Sequence, residues 1–491
     1  MRLLRLLVSF ACSLAALSAL ADVRLAPLFT DHLVLQRDRP VPVWGTAAAG
    51  ERVAVEFGAQ RVETVADAAG HWLVRLAPLS ASAEPAELTV RGTNTVQLRD
   101  VLVGEVWFCS GQSNMEKPLG ERKGQRPTPV HELELAASAY PQLRLFQVPR
   151  SDLPQSGPGV LRWLLSSPEN LRAANFSAVG YHFGRLLRQT LGVPVGIIHS
   201  SFGGTRIEAW LPPEAFADPQ LAGLEKVSYQ AWVKGVQPTE LFASMVRPFA
   251  PYALRGFLWY QGEANLMAGD VTLYARKQER LISEWRRVFE APDASFYGVL
   301  LAPFDYSRRP NAVVTTEALP LFWEVQRRGL SGSHAGFVVT TDLVANLHDI
   351  HPIDKRSVAE RLALQALAGT YARPELTAQG PEFAGLRVDG PRAELTFRSA
   401  AGLHTADGLP ASHFLLAGAD RKFFPAQAKI DGDKVQLTSA EVSAPVAVRF
   451  AWDEVATPNL VNAQSLPAVP FRTDDWPVEP TRPLPAAAPK Q

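Results

Sequence analysis

Cysteine is almost missing from this chain: 491 residues carry two, Cys12 and Cys109. Cys12 lies in an apolar N-terminal run that reads as a cleaved leader, which leaves one thiol, and one thiol closes no internal disulfide. Stability must therefore come from packing, even in a compartment that permits bridges. Cys109 as a nucleophile is the weaker reading, because it sits inside an apolar strand where a small buried hydrophobe is the expected role. An excess of either charge is missing too. Forty-nine basic and 49 acidic residues cancel, which argues against nucleic acid or a membrane surface as partner. After the N-terminus no apolar run approaches the roughly 20 residues of a membrane span, and no internal repeat is visible. What is present is length, with 47% apolar content, enough for a large core shared among two to four domains.

The first residues, Met1-Arg2-Leu3-Leu4-Arg5, precede an apolar stretch from Leu6 to Leu20 and the small-residue pattern Ala19-Leu20-Ala21. That order of charge, apolar run and small residues predicts a signal peptide over 1–21 and export to the periplasm or the medium. From 22 to 100 come short strand-like runs, among them Val41 to Trp44, Val53 to Val55 and His71 to Val74, broken by turns, as in a β-sandwich. Over 101–372 the texture changes to strands alternating with amphipathic helices. Phe176, Val179, Phe183 and Leu187 share one helical face before a stop at Gly192, and Leu281, Trp285 and Val288 share another. Such alternation predicts an α/β domain with a doubly wound, mostly parallel sheet. Short β runs return over 373–475, for example Ala393 to Phe397 and Val446 to Phe450. The remainder, 476–491, is rich in proline and alanine and is expected to stay flexible.

One serine stands out. In Gly104-Glu-Val-Trp-Phe-Cys-Ser-Gly-Gln-Ser-Asn-Met115, Ser113 lies where an apolar strand stops and a helix begins. Ligands gather outside the carboxyl ends of strands in an open α/β sheet. Ser113 with Glu116 three residues on also fits a capping box, in which the hydroxyl only satisfies a helix amide. Further along, His348-Asp349-Ile350-His351-Pro352 offers an imidazole beside a carboxylate at another strand-to-helix junction. A serine and a histidine so placed suggest a nucleophile and its base. Two more predicted strand ends carry polar clusters, Gly203-Gly204-Thr205 and Gln261-Gly262-Glu263-Ala264-Asn265. Ordinary turns and loop-fixing hydrogen bonds are the alternative roles for these glycines and amides.

Taken together, the blocks Asp31 to Arg37, Gly104 to Met115, Gly203 to Trp210, Trp259 to Asn265 and Asp349 to Leu362 resemble the sialate O-acetylesterase type of SGNH hydrolase, across most of the mature chain. The resemblance implies a three-layer α/β/α domain flanked by β-sandwich-like domains. It implies acetyl-ester hydrolysis on an O-acetylated sugar or polysaccharide, without cofactor or metal. It implies Ser113 as nucleophile and His351 as general base. Backbone amides of Ser113 and of Gly203 or Gly204 would form the oxyanion hole, completed by the side-chain amide of Gln261 or Asn265. Many such enzymes keep an aspartate three residues before the histidine. Here that place is His348, and Asp349 stands two before. Asp349, Asp342 or a backbone carbonyl could orient His351. His348 and His351 also have the spacing of a metal pair, with Glu263 as a conceivable third ligand, but no further ligands cluster nearby. His199 is expected to pack at a strand end, and Arg206 and Glu208 to form a salt-bridged loop or to touch substrate. The sugar is open between sialic acid and a plant polysaccharide such as acetylated xylan. A non-catalytic, secreted carbohydrate-binding protein is the reading from another class. A lipase fits less well, since no extended apolar lid is evident.

Overall fold

The computed structural model describes residues 22–149, 161–226 and 236–483. The predicted leader lies outside them. The fold is organised by one long strand, β1 (Thr95–Gly111), whose burial changes period along its length. Up to Asp100 its residues alternate between covered and exposed, and from Val101 onward every residue is buried. The first part pairs antiparallel with the strand Ser82–Arg91 of the N-terminal β region. The second part is the centre of a parallel sheet covered on both faces, where a continuous apolar run is what burial demands.

The parallel sheet contains β1 with β2 (Tyr140–Gln147), β3 (Val195–Ser201), β4 (Gly256–Tyr260), β5 (Ser295–Val299) and β6 (Ala335–Val338). Their order across the sheet is β2-β3-β1-β4-β5-β6, with Trp163–Ser166 antiparallel on the outer side of β2. The chain leaves β1 in one direction and returns from β3 across it to β4, so the switch point lies at the carboxyl end of β1. Helices Ala178–Leu191, Tyr274–Val288 and Ala318–Gly329 intervene, and Arg356–Gln365 follows β6. The helix after Ser177 starts with a cap in which Gly180 N–H donates to Ser177 Oγ at 3.1 Å, and ends on Gly192 at φ 67°. The stop at Gly192 was expected from the sequence; the start was not, and Phe176, read onto the helix face, lies just before the Ser177 cap. The α/β expectation is met, with a mixed sheet and additional antiparallel sheets around it.

The N-terminal region is joined to this sheet covalently and electrostatically. Because β1 runs through residue 100, the expected boundary between the first β region and the α/β domain falls inside a strand. Glu105 in that strand is wholly buried and receives Arg37 Nε at 2.5 Å, Arg255 Nε at 2.8 Å and Gln36 Nε2 at 3.1 Å. Burial would raise its pKa, but the two guanidinium groups hold the carboxyl below its ordinary value. One core extends from Val23 to Leu367, and a second occupies the C-terminal β domain. There, strands Glu382–Asp389, Arg392–Arg398, Lys434–Thr438 and Gln427–Asp431 make one four-stranded sheet, and Phe414–Ala417 with Ala447–Phe450 centre another.

The tail differs from its expectation. Residues to 483 are described, and the start of the segment read as flexible is docked: Thr315 N donates to Pro480 O at 3.0 Å and Arg482 N to Val313 O at 2.8 Å. Composition measures apolar content, whereas this stretch is held by backbone pairing.

Candidate active site

Three loops meet at the switch point, following β3, β1 and β4. Gly111, the last residue of β1, has φ 136°, and a Cβ there would lie 2.1 Å from Tyr260 O. Glycine is required because the backbone turns in a region closed to side chains while passing directly beside β4. The next residue, Gln112, clamps the loops together. Its amide N–H donates to Tyr260 O at 2.9 Å, and its Oε1 accepts from Gln261 Nε2 at 3.2 Å and Ala264 N at 3.2 Å.

Ser113 opens a short helix, Ser113–Glu116, whose N-cap is Gln112 with no side-chain cap bond. The capping box is therefore not formed. Ser113 is the first helical residue rather than the cap, and Glu116 turns away to accept Gly203 N–H at 3.0 Å. Gly203 abuts the serine so closely that a Cβ there would be 3.0 Å from Ser113 Cβ. The second loop thus lies against the nucleophile candidate, and only a residue without a side chain allows it.

Asn114 fastens this helix to the histidine loop. Its Nδ2 donates to Ile350 O at 3.0 Å and to Glu263 Oε1 at 2.5 Å, and its Oδ1 accepts Lys355 Nζ at 2.8 Å. Asn114, Glu263 and Lys355 are all buried. Burial pushes the Glu263 carboxyl up to about 7, against the hydrogen bond from Asn114, nearby backbone amides and the charge of Lys355. Burial likewise pulls the Lys355 ammonium down to about 7, helped by Lys117 and opposed by Glu263. Neither Gln112 nor Asn114 was singled out from the sequence. Their signal was there: polar residues flanking a serine directly after an unbroken apolar strand.

His351 is half-buried across the cleft. Burial, then the positive charge of Lys355, lowers its pKa to about 4, with Asp349 opposing. Asp349 Oδ1 accepts the backbone N–H of His351 at 3.0 Å. Asp342 is engaged elsewhere, receiving both terminal nitrogens of Arg361 at 2.8 and 2.5 Å. His348 Nδ1 meets Asp305 Oδ2 at 2.7 Å.

The two amides offered as oxyanion donors lie beneath this surface. Gln261 and Asn265 are wholly buried. Gln261 Nε2 is directed at Thr205 O, Gln112 Oε1 and Asn265 Oδ1. Asn265 Nδ2 donates to Glu208 Oε2 at 3.0 Å and Asp270 Oδ2 at 2.8 Å. Glu208 also binds Lys277 Nζ at 2.5 Å, so it belongs to a buried ionic cluster. His199 packs at the end of β3, its Nδ1 2.7 Å from Gln147 Oε1 and its Nε2 2.5 Å from Ser201 Oγ. Cys109 is fully buried, which raises its thiol pKa and removes it from nucleophilic chemistry at neutral pH.

Ser113, Gly203, Gly204, Glu263, Arg309 and His351 line one cleft of about 310 Å³. A larger cavity of about 730 Å³ adjoins it, sharing Glu116 and Arg122 and bounded by Lys123 and Arg162. The smaller cleft is lined by both the Ser113 hydroxyl and the His351 imidazole, so chemistry rather than size identifies the candidate site.

A family model described as carbohydrate esterase, sialic acid-specific acetylesterase, matches residues 103–367. Sialate O-acetylesterase of Homo sapiens is 30% identical over 402 residues, covering 74% of this chain and 74% of that protein. The Mus musculus protein of the same name is 27% identical over 500 residues, covering 89% and 90%. The crystal structure of a novel carbohydrate acetylesterase from Xanthomonas citri is 37% identical, covers 93% of this chain and 100% of its own, and superposes with a TM-score of 0.82.

Proposed function

Since the chain belongs to the sialic acid-specific acetylesterase family of carbohydrate esterases, and is thereby a carboxylic ester hydrolase, we propose that it removes acetyl groups from sugars through a serine acyl-enzyme. The observation that carries this reading is that Ser113 and His351, far apart in the chain, line the same cleft. His351 takes the proton of Ser113 as the hydroxyl attacks the acetyl carbonyl, then returns it to the departing sugar oxygen. A water activated by the same imidazole next frees acetate. The lowered pKa of His351 keeps it neutral, the form a base needs.

The oxyanion is held by the backbone amides of Ser113 and Gly204. Gly203 N–H already serves Glu116, and the donors of Gln261 and Asn265 are aimed at protein acceptors beneath the cleft. Those two side chains therefore fix the loop that carries Glu263. Asp349 acts on His351 by holding its backbone and by its negative charge. The engagement of Asp342 by Arg361 supports Asp349 over Asp342 as the acid. Export follows from the leader pattern of 1–21. No helix among the described residues is long and apolar enough to cross a membrane.

Acetate release by the purified protein and its Ser113→Ala variant, on O-acetylated sialic acid and on acetylated xylan, tests the reading. The variant should lose at least about a thousandfold in turnover with an unchanged melting curve, since Ser113 makes no cap. Activity surviving in the variant refutes the mechanism. Cleavage of xylan alone selects a plant-polysaccharide esterase, and silence on both substrates favours a different acetylated glycan or a carbohydrate-binding role.

A further inference from the structure

Glu263 is left over by that mechanism. It is the first residue of the helix Glu263–Met267, is 2% exposed, and lines the cleft beside Ser113 and His351. One carboxylate oxygen, Oε1, is committed to Asn114. The other, Oε2, is buried without a hydrogen-bond partner among the described residues. A buried acceptor without a partner is costly, and a native fold tolerates it where a ligand supplies the missing donor. The cleft also exceeds what an acetyl group fills. A site of about 310 Å³ has room for the ring or chain that bears the ester.

We propose that Glu263 is a substrate-recognition residue, its Oε2 accepting a hydrogen bond from the sugar hydroxyl next to the acetylated oxygen. This rests on the serine esterase reading. In a partly acetylated sugar the carbon adjoining the ester-bearing carbon carries a hydroxyl, a donor whose oxygen is four bonds from the reacting carbonyl carbon. In its ionised form, held by about half the molecules at pH 7 and by most above it, the carboxylate is the strong acceptor for it. Asn114 makes the placement firm, because it bonds Glu263 on one side and the residue before His351 on the other. Reading the hydroxyl and reading the ester are thereby registered to one rigid frame. Simple acetate esters and fully acetylated sugars, which lack the donor, are the substrates this contact disfavours.

Glu263→Gln is the informative change. Because Asn114 Nδ2 donates to Oε1, the glutamine oxygen is retained there and its nitrogen takes the place of Oε2. Shape is kept while the unpartnered acceptor becomes a donor. We would measure kcat/KM for wild type, Glu263→Gln and Ser113→Ala on three probes: methyl 2-O-acetyl-β-xyloside or 9-O-acetylated sialic acid, whichever wild type cleaves, its analogue lacking the neighbouring hydroxyl, and 4-nitrophenyl acetate. The variant should lose roughly ten- to a hundredfold on the hydroxylated ester, at least tenfold more than on 4-nitrophenyl acetate, and should no longer distinguish the deoxy analogue. Equal losses on all probes assign Glu263 a purely structural role and overturn the proposal. So does a wild type indifferent to the missing hydroxyl, a result that needs no folded variant. Absence of Ser113-dependent turnover in wild type overturns the esterase reading itself, and is told apart because it appears before Glu263 is altered.

Discussion

Lowering the pH discriminates among the readings of His351, because the structure gives it an unusual proton affinity. A histidine with its ordinary pKa of 6.5 is neutral in about one molecule in ten at pH 5.5. At the lowered value of about 4, roughly 97% is neutral at that pH. The sign follows from the role. A general base works unprotonated, so activity is present above its pKa and disappears as pH falls through it. Acetate release from 4-nitrophenyl acetate, which carries no sugar hydroxyl for Glu263 to bind, should thus stay within about twofold from pH 7.5 to 5.5 and fall only towards pH 4. An ordinary imidazole would lose about tenfold over the same interval. After burial, the largest cause of the shift is the charge of Lys355. With its own pKa near 7, Lys355 is charged throughout the acid range, so its repulsion acts where His351 titrates. Lys355→Met should therefore move the acid limb of kcat/KM upwards towards 6.5, whatever it does to the plateau. An inflection between pH 6 and 7 in wild type, or a limb that Lys355→Met leaves in place, would refute the assignment of His351 as the buried base.

Gly111→Ala forces a Cβ to within 2.1 Å of Tyr260 O at φ 136°. It should cost about 2–4 kcal/mol in denaturant melts, with turnover down on the order of a hundredfold as Ser113 shifts. Gly50→Ala, where φ is also positive but nothing stands within 4 Å, serves as control: it should cost about 1 kcal/mol and leave turnover intact. Arg255→Met leaves the buried Glu105 with Arg37 as its remaining guanidinium, and should destabilise the protein by about 3 kcal/mol in guanidinium unfolding.

Much of the architecture was legible locally. The strand end read ahead of the cluster Gln261 to Asn265 is that of β4, Gly256–Tyr260. The helix read from the shared face of Leu281, Trp285 and Val288 spans Tyr274–Val288, because a run with one apolar face determines its own period. Strand β2 and the helix Ala318–Gly329 are among the elements of the α/β domain that were not anticipated. Strand β2 reads Tyr-Pro-Gln-Leu-Arg-Leu-Phe-Gln, and its arginine spoils the apolar run. Arg144 is nevertheless buried, because Asp100 and the His32 carbonyl come from elsewhere to receive it. The helix Ala318–Gly329 carries Pro320 in its first turn, which reads as a break although proline is tolerated there.

At the site the division is the same. That Ser113 lies at a strand end, that His351 lies between β6 and the helix Arg356–Gln365, and that glycines stand at 111, 203 and 204, was determined by the sequence alone. Strand propensity, turn chemistry and motif spacing act over a few residues, and the family resemblance resides in those blocks. Which polar side chains remain available was decided by tertiary structure. Gln261 and Asn265 were as eligible as Glu263 in the linear chain. Packing set the first two against fixed acceptors below the cleft, and left Glu263 Oε2 without one. The values near 4 and 7 for His351, Glu263 and Lys355 have the same origin. Desolvation and through-space charge depend on neighbours brought from distant parts of the chain, and no local pattern encodes them.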